Sequence, residues 1–225
     1  ERTQNDLIQE FIPVAGMRHL SLPDGSQVQL NSKSTLLYPK QFTGKERCVY
    51  LVGEANFKVK PDKKHPFIVK SDDFQVTALG TEFNVSAYPE NQEISTALLS
   101  GSVLVEWGNL TQRTVLQPDE QLTYDKENRQ FRVVHPDMAD VTAWQRGELV
   151  FNEMTVEDII RVLERKYNYT FVYSLNQLKK DRLSFRFKDK APLAEVMDII
   201  VDVADNLKFK IEGDKCYITR KGNKK

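Results

Sequence analysis

Cysteine is scarce in this chain: Cys48 and Cys216 are the only two in 225 residues. Two thiols exclude both a disulfide-rich scaffold and a zinc ribbon. A Cys48–Cys216 bridge would have to staple two separate parts of the chain, so both are read as buried free thiols. Histidine is equally thin. His19, His65 and His135 stand alone, with no HExxH and no cysteine beside them, so the three ligands of a catalytic zinc are not expected. Neither sign of charge is in excess, since Lys+Arg and Asp+Glu both number 32, and no nucleic-acid partner is expected. No apolar run approaches the ~18 residues of a membrane span. Glu1 to Asp6 does not read as a signal peptide, and the three lysines in Lys221 to Lys225 read as a solvated end. GxSxG, P-loop and GxGxxG motifs are missing. No enzyme is therefore expected, and no catalytic, cofactor-binding or metal-binding residue is assigned.

What the chain does have, from Met17 to about Val134, is a series of short alternating runs broken by turns. Two stretches stand out: Gly53-Glu54-Ala55-Asn56-Phe57-Lys58-Val59, and Val76-Thr77-Ala78-Leu79-Gly80-Thr81-Glu82-Phe83-Asn84-Val85. Both alternate at the two-residue period of a half-buried strand, with a glycine where backbone rather than side chain must fit. His19 to Leu22, the turn Pro23-Asp24-Gly25-Ser26 and Gln27 to Leu30 read as a hairpin. Even spacing of such runs predicts an all-β sandwich, barrel or solenoid without a helix.

After Pro136 the period changes. Val156, Ile159, Ile160 and Leu163 form a helical stripe, and Thr155 with Asp158 supplies a capping box that starts it near Val156. Pro192 opens a second helix, with Leu193, Val196, Met197 and Ile200 on one side. Val156 and Leu193, Ile159 and Val196, and Leu163 and Ile200 are each 37 residues apart, so two strand–helix–strand repeats are expected, with helices on a sheet. The predicted class is mainly β: an all-β twisted sandwich or solenoid-like domain followed by a small α+β domain.

Trp107 and Trp144 are candidates for a sugar platform, and core burial explains them better. The remaining candidate is a surface for protein contact. A small open sheet can accept a partner's strand, and Phe185, Arg186 and Phe187 would present one, with Arg161 and Arg165 on the polar side of the neighbouring helix.

Several motifs in order resemble one family. Leu22-Pro23-Asp24-Gly25-Ser26, Tyr38-Pro39, Arg47, Gly53-Glu54-Ala55, Pro66-Phe67, Leu79-Gly80-Thr81, Phe83-Asn84-Val85 and Ala87-Tyr88 look like the FecR family, the sensor regions of membrane-bound anti-sigma regulators. The piece from Trp144 onward resembles the signalling domain of secretins and TonB-dependent receptors. Pro118-Asp119-Glu120 stands where the family usually has Pro-Gly, so that turn is made without glycine.

The resemblance implies a linker from the membrane side over 1–13, the FecR-like domain over 14–136, a linker over 137–147, the signalling-like domain over 148–221 and a tail over 222–225. It also implies a periplasmic region of an inner-membrane protein in a Gram-negative bacterium, anchored by one membrane helix upstream. Its partners would be the signalling domain of a TonB-dependent outer-membrane transporter and, through a cytoplasmic segment, a sigma factor. The competing expectation is a glycan-binding β module. Asp24, Gly25, Gly53, Glu54, Leu79, Gly80, Thr81, Phe83 and Asn84 are expected to be structural.

Overall fold

One strand organises the N-terminal part. β5 (Arg47–Lys58) alternates inward Val49, Leu51, Ala55 and Phe57 with outward Tyr50, Val52 and Lys58 over a length that two different sheets share. The computed structural model describes residues 6–222 except 73, 179–181, 189, 190 and 205, so residues 1–5 of the expected linker and 223–225 of the expected tail lie outside the described residues. The chain divides into two units, Glu1–Thr142 and Ala143–Lys225.

In the first unit, the leading half of β5 lies between β4 (Thr35–Pro39), which also pairs with β1 (Leu7–Phe11), and β6 (Phe67–Ser71). That sheet continues through β7 (Phe74–Ala78) and β10 (Val103–Trp107) to β11 (Gln112–Leu116) at its edge. The trailing half of β5 lies between β3 (Gln27–Leu30), itself paired with β2 (Arg18–Ser21), and β8 (Glu82–Ala87). From there the second sheet runs through β9 (Glu93–Ser100) and β12 (Gln121–Asp125) to β13 (Gln130–Val134). The strands join into a single curled 13-stranded sheet whose inner faces share one core. Phe57 sits at its centre, stacked on Phe83 at 5.3 Å between ring centroids and tilted against Phe67 at 6.0 Å. Each such fully buried ring contributes roughly 2–3 kcal/mol.

Most local signals are realised. The turn Pro23 to Ser26 joins β2 to β3 with Leu20 opposite Val28. Asp119 makes its turn without glycine by taking φ +68, a left-handed conformation that aspartate tolerates better than most residues. One expectation is corrected at the start: residues 7–11, assigned to a linker, form β1, because Ile8 packs inward opposite Tyr38 and ties the segment to the sheet.

The segment 137–147, also expected as a linker, is ordered as α1 (Met138–Val141) and a 3-10 turn over Ala143–Arg146. Asp137 caps α1 by accepting from the Ala139 N–H, and that local bond, with α1 packed against β9, explains why the stretch does not run extended.

The second unit contains the two repeats, β14 (Leu149–Thr155), α2 (Val156–Lys166) and β15 (Thr170–Val172), then β16 (Arg182–Phe187), α3 (Leu193–Val203) and β17 (Leu207–Glu212), followed by β18 (Lys215–Arg220). Thr155 caps α2 by accepting from the Asp158 N–H at 3.2 Å. Pro192 stands at the N-cap of α3, one place before the first helical position. The repeats do not lie on a common sheet. Their first strands pair as β14–β16, and their second strands flank β18, with β15 parallel and β17 antiparallel to it. Two half-sheets thus share a core with both helices, which includes Phe151, Ile159, Met197 and Leu207.

Candidate functional site

The motifs singled out in the first unit meet in two polar knots. In one, the Asp24 carboxylate accepts from the Ser26 N–H at 3.0 Å and the Ser26 hydroxyl at 2.7 Å, closing the turn in which Gly25 holds φ +87. Asp24 also accepts from Arg47 Nη1 at 2.7 Å, and Arg47 donates further to the carbonyls of His65 and Lys60. The guanidinium lies 5.4 Å from the Phe67 ring centre.

The other knot surrounds Gly53 and Glu54, where β5 passes from one sheet to the other. A Cβ on Gly53 would stand 2.4 Å from Ser34 Oγ, and φ is +109, so only glycine fits. The Ser34 hydroxyl accepts from the Glu54 N–H at 2.8 Å, while the Glu54 carboxylate takes the side-chain amides of Asn31 at 2.9 Å and Asn84 at 3.0 Å. Phe83, beside Asn84, points inward. Gly80 is pressed on Pro61, whose Cα would lie 2.8 Å from an added Cβ, and the Leu79 carbonyl accepts from the Asp62 N–H. Leu79, Gly80 and Thr81 line a surface groove of about 430 Å³ with Pro61, Leu104 and Val115. Ser34 was not legible as a partner of Gly53, because the contact spans two strands and leaves no local pattern.

Among the described residues no three His, Cys, Asp or Glu side chains gather as a metal site. Trp107 stacks on Phe131 at 4.2 Å, Tyr124 stacks on the same Phe131 ring at 4.3 Å, and the Trp107 indole N–H donates to Gln112, so the tryptophan is engaged within the sandwich. Both cysteines are free thiols. Cys216 is buried, whereas Cys48, expected to be buried too, is only half-buried because it faces outward on β5.

In the second unit, β14 and β16 pair only with each other, so each has one open edge among the described residues. On β16, Leu183, Phe185 and Phe187 turn toward the core while Arg182, Ser184 and Arg186 are exposed. Phe185 contacts Phe151 at 4.8 Å and Phe187 at 5.8 Å. The phenylalanines therefore anchor the strand rather than project from it, and Arg186 is the member of the trio that faces solvent.

The two helix arginines separate. Arg161 donates to Glu157 at 2.6 Å on the surface of α2. Arg165, expected on the polar side, is buried at 7% exposure, because the covered arc of α2 extends past the apolar stripe to include Asp158 and Arg165. One group had no signal in the sequence: burial, reinforced by the neighbouring Glu164 carboxylate, pushes the Tyr173 hydroxyl up to about 12, next to the Arg161–Glu157 pair.

The architecture is of the mainly β class, a curled β-sandwich followed by a helix-bearing unit in which, among the described residues, β14 and β16 each have an edge able to accept another strand. Comparison with known proteins narrows that class. The FecR protein family matches residues 11–104, and the C-terminal FecR family matches residues 148–218. Two crystal structures, at 2.50 and 1.65 Å, of a protein described as a "putative anti-sigma factor" from Parabacteroides distasonis ATCC 8503 superpose with a TM-score of 0.89. They are 30% and 29% identical to this chain, which covers 100% of each while they cover 96% of it. No curated protein matches. The chain belongs to the FecR family of anti-sigma regulators.

Proposed function

We propose that this chain is the periplasmic signal-receiving region of a membrane-anchored anti-sigma factor, and that its second unit docks the signalling domain of a TonB-dependent outer-membrane transporter. Docking there controls release of a sigma factor held by a cytoplasmic segment. The protein is a regulator and performs no catalysis. No described helix is long and apolar enough to cross a membrane.

The observation that carries this reading is the open edge of the β14–β16 pair. A partner strand laid along it gains backbone hydrogen bonds, while the outward Arg186 on the same strand supplies selectivity for an acidic partner. A signalling contact must also part again, so micromolar affinity, about −8 kcal/mol, is expected.

Calorimetric titration with the cognate signalling domain tests it. Saturable binding that Arg186→Glu weakens at least tenfold supports edge docking. No heat at concentrations far above the micromolar range would remove it, and binding untouched by Arg186→Glu would move the contact elsewhere.

A further inference from the structure

The two outer faces of the sandwich differ in chemistry. On the second sheet, cross-strand register sets Gln29, Asn56 and Asn84 in one row and Glu54, Ser86 and Ser95 in the next, a polar face on which Asn56 and Asn84 are themselves buried. The outer face of the first sheet is apolar where it should be polar. Tyr50, Val52 and Val115 are 44, 49 and 52% exposed there, and Leu37 and Leu104 stand half-exposed among them. Exposed apolar side chains grouped on one sheet face are a feature of interaction surfaces.

The few charges on that face say what covers it. Tyr50, Lys70, Gln75, Glu106 and Arg113 form one cross-strand row over β5, β6, β7, β10 and β11. Gln75 is its midpoint, with Lys70 one strand to one side and Glu106 one strand to the other. Tyr50 and Arg113 stand two strands out. The adjacent row repeats the symmetry in apolar form, with Thr77 at the centre, then Ile68 and Leu104, then Cys48 and Val115.

We propose that this face is an isologous interface between two copies of this chain, with the two-fold axis running along β7. Turning a second copy about that axis lays Lys70 over the other copy's Glu106, Tyr50 over Arg113, Gln75 over Gln75 and Val115 over Cys48. Opposite charges meet, a guanidinium meets an aromatic ring, and apolar side chains meet each other, which is the self-complementarity that two-fold association requires. Stacked sheets lie about 10 Å apart, a gap that Lys, Glu and Arg side chains span. Within one chain these groups have weaker company: Lys70 Nζ lies 5.9 Å from the Tyr50 ring, and Glu106 accepts from the Gln75 amide at 3.3 Å. A twisted sheet also fits another twisted sheet better than it fits a flat bilayer.

Sedimentation equilibrium of the whole chain from roughly 1 µM to 1 mM tests the interface. The expected result is a monomer–dimer equilibrium in which Lys70→Glu and Glu106→Lys each raise the dissociation constant about tenfold, since symmetry counts every pair twice. The double reversal, Lys70→Glu with Glu106→Lys, restores dimerisation to within about threefold. Arg113→Glu, at an exposed position, weakens it without touching the fold. A chain that stays monomeric throughout, single reversals that leave the equilibrium unmoved, or a double reversal that fails to recover it would each overturn the proposal. A monomer that pellets with anionic phospholipid vesicles would assign the face to lipid instead.

Discussion

Arg47 Nη1 meets Asp24 Oδ2 at 2.7 Å, with the arginine side chain 4% exposed and the aspartate 14%. The pair ties the β2–β3 turn to the first residue of β5. It is stable because the guanidinium also donates to two backbone carbonyls, so its charge is both paired and hydrogen-bonded where water cannot reach it.

Removing one partner should therefore cost far more than a surface ion pair. Asp24→Ala leaves the arginine buried and uncompensated and is expected to destabilise by about 3–5 kcal/mol. Urea unfolding followed by tryptophan fluorescence measures it. A loss under about 1 kcal/mol would mean that water screens the pair as it does at a surface.

Sequence made one class of feature legible and hid another. The β2–β3 hairpin, the Thr155 cap of α2 and the apolar stripes of both helices rest on residues within a few positions of each other, and each was readable. Pairings between distant segments leave no such mark. The parallel pairing of β5 with β6, the union of β15 with β18 and the split of the repeats over two half-sheets depend on chain paths that alternation cannot encode. The same holds for the site. Gly53 announced itself as a glycine in a strand, but its reason, Ser34 packed against it, lies on a neighbouring strand. Arg165 looked like a surface residue because its burial comes from what packs around α2.

Gly53 offers a direct test of that contact. Gly53→Ala places a Cβ in Ser34 and forces alanine to φ +109, so the expected loss is roughly 3 kcal/mol. Gly213→Ala is the control. It has φ +59 and nothing within 4 Å, and it should lose only about 1 kcal/mol, the cost of the backbone conformation alone. Equal losses at the two sites would show that Ser34 yields freely.

Asp119 holds φ +68 in a turn where glycine would be unstrained. Asp119→Gly is expected to stabilise the fold by about 0.5–1 kcal/mol, the relief of left-handed strain less the extra entropy of an unfolded glycine. A lower unfolding midpoint would show that the side chain contributes a compensating interaction.

The thiols should differ in reactivity. Burial raises Cys48 and pushes Cys216 up to about 11, so neither carries much thiolate at neutral pH. Cys216, with no exposed surface, is expected to resist maleimide until the second unit unfolds, whereas half-buried Cys48 reacts slowly in the native protein. Mass spectrometry of timed labelling separates them. Rapid native labelling of Cys216 would contradict its place in the core.

Asp125 contributes to the response to acid. Burial works to raise its carboxyl, but the Asn128 N–H at 3.1 Å, the Gln92 amide at 3.0 Å, the Asn128 amide at 2.8 Å and the Glu127 N–H at 2.9 Å all donate to it and hold it below the usual carboxylate range. The unfolded chain releases this proton near the ordinary value, about 3.9. A depressed value in the folded state means that the stabilisation is fully present above the unfolded value and is lost as pH falls through the folded one. Wild type should therefore lose stability on acidification below about pH 4 more steeply than Asp125→Asn, which has no proton to gain, while at neutral pH the variant is the less stable of the two. Urea midpoints for both proteins at several pH values decide the matter, and parallel profiles would show that the four donors hold the carboxyl as well when it is protonated as when it is charged.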